Sequence, residues 1–264
     1  MFFNEAEQQL SSEFMEKGYI IRPAADLEAL EWIRNQFLNL VQKSLGLEIG
    51  SDVDQILNSI HLKVPQEKLN SFRLEMIRGL NSIDGFRERY YRIAKPYLET
   101  LVGNELAMQL RVNLSIQCPD DESSLLSVHA DTWSGDSPFE VVVWLPLVDC
   151  FGTKAMYILG PKEAAELSEN FTSRAGQSGE DLYQSIKNEI KWLNVKFGEV
   201  LVFDQGLPHG NRVNAEGETR WSMNCRFKGV FTPYGDKKLG EFFEPITLKP
   251  ISRIGMNYQL PKLT

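Results

Sequence analysis

The 264-residue chain contains only three histidines, and two of them stand where they could hold a metal ion. His129 is followed by Ala130 and Asp131. On a strand, residues two apart project to the same side, so this imidazole and carboxylate would converge on one point. His209 lies 78 residues after Asp131, in Gly206-Leu207-Pro208-His209-Gly210-Asn211, just past the apolar run from Glu199 to Asp204. Two imidazoles and one carboxylate make the facial set that suits iron(II) and leaves three positions for cosubstrate and dioxygen. His-x-Asp alone also describes a surface histidine beside a turn or capping aspartate. His61, in Ile60-His61-Leu62-Lys63, reads as a helical surface or core histidine without a role.

Eleven residues after His209 comes Arg220, followed by Trp221 and Ser222 at the start of a strand. Arg220 and Ser222 share one strand face. A guanidinium offers a fork of two donors to a carboxylate, and a hydroxyl adds a third. The distal carboxylate of 2-oxoglutarate requires such a set while its keto-acid end chelates the metal; the competing reading is a surface charge near Glu216 and Glu218. Asn224 and Arg226 share the parity of Arg220, and Arg111 and Asn113 share a second polar strand face with Ser115 and Gln117. These faces look either into a barrel or into solvent. Trp133, two residues past Asp131, is an aromatic wall for a substrate or a packing residue. Arg111, Asn113, Trp133, Asn224 and Arg226 are therefore the candidate substrate contacts.

The elements that must position these groups change character near residue 105. Helices are expected over Glu5–Lys17, Asp26–Leu45, Asp52–Ile60, Gln66–Leu80 and Ile83–Leu101; in the second, Leu30, Ile33, Phe37, Leu40 and Val41 form a helical stripe. A brief strand, Gly18–Pro23, interrupts them. Beyond residue 105, strands are expected over Met108–Ile116, Phe139–Leu145, Ala155–Leu159, Val200–Phe203 and Trp221–Phe231. Short strands with Gly and Pro turns suggest an antiparallel sandwich or barrel. Segments Pro161–Ser168 and Glu180–Ile190 read as a helical insertion. The expected class is α+β, with residues 1–104 a mostly helical segment packed on a β core of residues 105–264. The apolar N-terminal helices either cover one side of that core or form a homodimer interface.

Composition narrows the function classes. Against 36 acidic residues stand 28 basic ones, a net charge of −8, which disfavours nucleic acid as a partner. Cys118, Cys150 and Cys225 lack close spacing and read as reduced thiols, which with no visible secretory signal points to a cytoplasmic protein. No window approaches the 18 consecutive apolar residues of a membrane span.

His129-x-Asp131, His209 and Arg220-x-Ser222, in this order, resemble the non-haem iron(II)/2-oxoglutarate-dependent oxygenases. The resemblance is nearest to the phytanoyl-CoA dioxygenase-like superfamily, through Gly18-Tyr19-Ile20-Ile21 and Phe197-Gly198-Glu199-Val200-Leu201-Val202-Phe203-Asp204. It covers roughly residues 14–23 and 105–232. Across Ser127–Leu147 it is similar to bacterial oxygenases from sporadic carbohydrate-biosynthesis clusters. The chain has Cys150-Phe151-Gly152 and Gly160-Pro161-Lys162 where the superfamily has Glu-Asn-Gly and Pro-Gly-Ser-His, so phytanoyl-CoA specificity does not carry over.

The resemblance implies a double-stranded β-helix of jelly-roll or cupin-like form, with iron(II), 2-oxoglutarate and O2 used inside the barrel. The implied reaction is oxidative decarboxylation of 2-oxoglutarate coupled to oxidation of a small polar metabolite, expected to be a sugar or sugar conjugate. Because Asp131 occupies the carboxylate position, hydroxylation or a related oxidation is favoured over halogenation. The rivals are a related oxygenase for an acyl-carrier or amino-acid-derived intermediate, and a non-catalytic metal- or ligand-binding barrel.

Overall fold

The computed structural model describes residues 2–47, 52–169 and 178–261. Residues 170–177 of the expected helical insertion lie outside that set. Helix α1 (Glu5–Lys17) is opened by an Asn4–Glu7 capping box and closed by Gly18 in the left-handed conformation. Strand β1 (Tyr19–Pro23) follows, then α2 (Leu27–Leu45), whose first turn is capped by Asp26. Helix α3 (Val53–Asn58) leads to α4 (Leu69–Asn81), which a short 3-10 turn at Gln66–Lys68 precedes. The expected helix over Ile83–Leu101 is two helices, α5 (Phe86–Arg92) and α6 (Lys95–Leu101). Pro96 sits in the first turn of α6, where its missing N–H is harmless; within one continuous helix it would break a hydrogen bond.

Next come β2 (Leu106–Gln109), β3 (Asn113–Gln117), β4 (Glu140–Pro146) and β5 (Met156–Ile158). Helices α7 (Pro161–Glu169) and α8 (Gly179–Ile186) precede β6 (Lys191–Leu193), β7 (Glu199–Asp204), β8 (His209–Gly210) and β9 (Arg220–Gly229). Strand β10 (Phe243–Pro245) and helix α9 (Pro250–Met256) complete the described elements. Strands β6, β8 and β10 are two or three residues long, too short to leave an alternation in the sequence.

Two antiparallel sheets result. The larger has the order β1-β7-β4-β9-β2-β10, with β3 also paired to β9, and the smaller has the order β6-β5-β8. Strand β1 pairs with β7 from Tyr19↔Phe203 to Pro23↔Glu199, so the N-terminal segment supplies a sheet edge as well as helices. The single strand expected over Met108–Ile116 is split. Leu106–Met108 pair with Phe227–Gly229, whereas Asn113–Gln117 pair with Arg220–Asn224. Four residues (109–112) thus oppose two (225–226), a bulge of two residues. The Asn81 side chain acts as strand partner there. Its Oδ1 accepts from Val112 N–H at 2.9 Å and its Nδ2 donates to Val112 C=O at 3.0 Å.

Alternation along the large sheet divides its faces. On β9, Trp221, Met223, Cys225 and Phe227 are fully buried in the core shared with the helices, together with Ile33, Phe37 and Val41 of α2. The helices therefore cover the outer face of the sheet. Trp221 stacks edge-on against Phe37 at 4.9 Å and donates its indole N–H to Leu57 C=O at 2.7 Å. Positions of opposite parity, including Val142 and Trp144 of β4 and Leu201 and Phe203 of β7, turn inward toward the small sheet. Among the described residues no helix is long and apolar enough to cross a membrane.

Candidate metal and cosubstrate site

His129 precedes a 3-10 turn that begins at Asp131, so the two do not share a regular strand as the spacing suggested. A short antiparallel pairing does the work instead. His129 N–H donates to His209 C=O at 3.0 Å, His209 N–H donates to His129 C=O at 2.8 Å, and Asp131 N–H donates to Gln205 C=O at 3.0 Å. This pairing locks residues 129–131 against 205–209. One ligand atom from each of His129, Asp131 and His209 lies within 4.8 Å of the others, the geometry of a three-point metal site.

The hydrogen bonds set the tautomers. His129 Nδ1 donates to Ser127 C=O at 2.8 Å and His209 Nδ1 donates to Leu207 C=O at 2.8 Å, because a carbonyl can only accept. Both Nε2 lone pairs are left for a ligand, and carbonyl partners of this kind are the usual means of aiming a metal-binding imidazole. Burial, and then the neighbouring His129, push the His209 imidazole down to about 4, so it is neutral at pH 7 as a ligand must be. Its ring packs edge-on against Phe203 at 5.0 Å. Gly210 follows because a Cβ there would lie 2.6 Å from Tyr157 Oη and 2.8 Å from Leu126 C=O.

These groups face a cavity of about 190 Å3 lined by Asn113, Ser115, Val142, Trp144, Met156, Phe203, Asn211, Arg220, Asn224 and Arg226 among others. The His129 side chain is 35% exposed and that of Asp131 12%, so the centre opens on the His129 side. Arg220 is buried in the wall, its Nη2 donating to Ser115 Oγ at 2.9 Å and its Nη1 reaching Ala155 C=O at 3.4 Å. Its Nε has no partner and no carboxylate pairs with it among the described residues. Desolvation lowers its pKa to about 10. Ser222 Oγ, two residues on and opposite Ser115 in the sheet, is buried and also without a partner.

The five candidate substrate residues divide. Asn113 and Asn224 line the cavity and bond to each other, Nδ2 to Oδ1, at 3.0 Å. Arg226 lines it too, but its guanidinium is engaged with Asp131 and Gln205. Arg111 and Trp133 are not part of the wall. Arg111 falls in the β2–β3 bulge and borders a separate surface cavity, and Trp133 sits 40% exposed on the 3-10 turn. The bulge takes Arg111 out of the strand pairing, so it does not follow the parity of Asn113.

Three residues in or behind the wall carried no sequence signal as site residues. Asn211 accepts from Leu126 N–H at 2.7 Å and donates to Ser124 C=O at 3.2 Å, which ties down the loop before His129. Gln205 and Glu140, 65 residues apart, meet only through the fold.

No protein-family model matches the chain, and no curated protein matches it either. Solved structures do. The chain resembles a non-heme monooxygenase, ThoJ, in its nickel complex: TM-score 0.53 at 14% identity, covering 85% of this chain and 79% of that one. It resembles the epimerase SnoN in complex with Fe3+, alpha-ketoglutarate and nogalamycin RO at TM-score 0.53 and 14% identity, over 94% and 97% of the chains. It also resembles HygX from Streptomyces hygroscopicus with nickel and 2-oxoglutarate bound, at TM-score 0.51 and 14% identity, over 88% and 89%. The fold is that of the double-stranded β-helix iron/2-oxoglutarate enzymes, with helices against the outer face of the larger sheet.

Proposed function

We propose that this chain is an iron(II)- and 2-oxoglutarate-dependent oxygenase that oxidises, by hydroxylation, a small polar metabolite such as a sugar or sugar conjugate. The observation that carries the reading is the meeting, in one cavity, of a His-Asp-His cluster with a buried guanidinium that has no carboxylate partner among the described residues. A buried cation without a counter-ion is unfavourable unless a ligand supplies one. Similarity to proteins solved with nickel or iron and 2-oxoglutarate supports the same choice.

His129, Asp131 and His209 would hold the metal, and Arg220 with Ser115 and Ser222 would take the distal carboxylate of 2-oxoglutarate. Iron held there would supply dioxygen activation coupled to decarboxylation of the cosubstrate. The chain's own residues do the rest. The two carbonyl-bound imidazoles keep their Nε2 atoms aimed inward, while Val142, Trp144, Met156 and Phe203 exclude water from the inner wall. The Asn113–Asn224 amide pair presents donors and acceptors suited to hydroxyl groups, whereas a fatty-acyl chain would need a long apolar channel.

The test is succinate release from 2-oxoglutarate by purified protein, with and without added iron(II). Iron-dependent succinate that disappears in His209→Ala is expected, even without the true substrate. Succinate formation indifferent to iron, or to His209, would overturn the assignment.

A further inference from the structure

The two oxygens of Asp131 keep different company. Oδ1 faces His129 Nε2 at 3.7 Å, whereas Oδ2 accepts from Arg226 Nη2 at 2.7 Å. Arg226 is held in turn. Its Nε donates to Gln205 Oε1 at 2.8 Å, and Gln205 Nε2 donates to Glu140 Oε2 at 2.8 Å and to Ser137 C=O at 3.1 Å. Gln205 is fully buried and Glu140 nearly so. Arg226 lies on β9, Glu140 opens β4 and Gln205 directly follows β7, so the chain of contacts crosses three adjacent strands of the rigid sheet. Asp136, 3.9 Å from Arg226 Nη2, is itself paired with Lys237 at 2.7 Å.

A carboxylate can bind a divalent ion through one oxygen or through both. With two imidazoles and one carboxylate oxygen, three positions remain, enough for a chelating keto acid and dioxygen. A second carboxylate oxygen would fill one of the three. We propose that Arg226, braced by Gln205 and Glu140, claims Asp131 Oδ2 and so restricts Asp131 to one-oxygen coordination, keeping the third position open. The proposal rests on the iron and 2-oxoglutarate reading of this site. It makes Arg226 a positioning residue in place of the substrate contact expected from strand parity.

Crystals of the Ni(II)-loaded wild type, R226M and R226K, with calorimetric Ni(II) titrations, test it. In the wild type one Asp131 oxygen should lie at bonding distance, about 2.0–2.2 Å for a carboxylate on a first-row ion. In R226M both oxygens should bond, and Ni(II) affinity should change by no more than about 10–100-fold, the usual range for partners of metal ligands. R226K, which can still bond Oδ2, should restore one-oxygen binding. One-oxygen coordination in R226M, or two-oxygen coordination in the wild type, would overturn the proposal while leaving the metal site intact. If R226M does not fold, Q205M replaces it: the guanidinium then loses its brace, both Asp131 oxygens should bond in part of the molecules, and unchanged coordination overturns the proposal. A wild-type crystal without metal on His129, Asp131 and His209 would instead defeat the parent reading.

Discussion

Replacing Arg220 with methionine should separate stability from function. Arg220 is wholly buried, and its pKa falls from 12.5 to about 10 because desolvation penalises the charge. At 1.36 kcal/mol per pKa unit, that fall corresponds to about 3 kcal/mol of uncompensated burial. The sign follows from the lowered value: below pH 10 the folded protein holds a proton less tightly than the unfolded chain, so the charge destabilises the fold at neutral pH. The bonds to Ser115 Oγ and Ala155 C=O return roughly 1–2 kcal/mol together. Methionine is unbranched and apolar and fits irregular space, so the net gain should be about 1–2 kcal/mol, or roughly 2–4 °C in melting temperature. The same change removes the proposed partner of the cosubstrate carboxylate, a loss on the order of 2–5 kcal/mol and hence roughly 30- to several-thousand-fold in affinity. Thermal denaturation with and without 2-oxoglutarate, in the presence of Ni(II), reads both effects. R220M should melt above the wild type without ligand and lose the upward shift that 2-oxoglutarate gives the wild type. An R220M protein that melts lower and still responds to 2-oxoglutarate would refute the reasoning.

Alanine at His129, Asp131 or His209 should each remove most metal binding, measured by calorimetry, because a remaining pair of ligands chelates poorly; near-normal affinity in any one would exclude that residue from the set. Gly210→Ala forces a Cβ against Tyr157 Oη and the Leu126 carbonyl, and should destabilise the fold by about 1–3 kcal/mol and weaken metal binding beside it, as denaturant titration and calorimetry would report. Burial raises the Glu140 carboxyl above its ordinary 4.5, so the protonated form is favoured in the fold and wild-type stability falls as pH rises from about 4.5 through the raised value. Glu140→Gln removes that titration, and its stability advantage should grow from near zero at pH 4 toward neutral pH; a difference independent of pH would contradict the burial argument.

The division between helical layer and β core was readable because each element carried its own period. The stripe of Leu30, Ile33, Phe37 and Val41 packs on the sheet, and the alternation from Trp221 to Phe227 sends large residues outward to the helices and Arg220, Asn224 and Arg226 inward. The metal cluster was readable because histidine is scarce, although its local geometry comes from a three-residue pairing rather than a regular strand. Strand parity did not extend to Arg111 because the bulge depends on Asn81, a distant side chain that supplies both halves of a missing strand partner. Trp133 lies outside the cavity wall for a similar reason: Asp131 starts a 3-10 turn, so spacing by two no longer means a shared face. Gln205 and Glu140 were invisible as site residues, since a buried hydrogen bond between residues 65 apart leaves no local pattern.

The most direct test of the central claim is an anaerobic titration of the Fe(II)-loaded protein with 2-oxoglutarate, followed by visible absorption. Chelation of Fe(II) by the keto acid should produce a charge-transfer band that saturates at one cosubstrate per chain, is absent in His209→Ala, and needs far more 2-oxoglutarate in R220M. A wild-type protein that binds iron at this site yet gives no such band at any cosubstrate concentration would contradict the account.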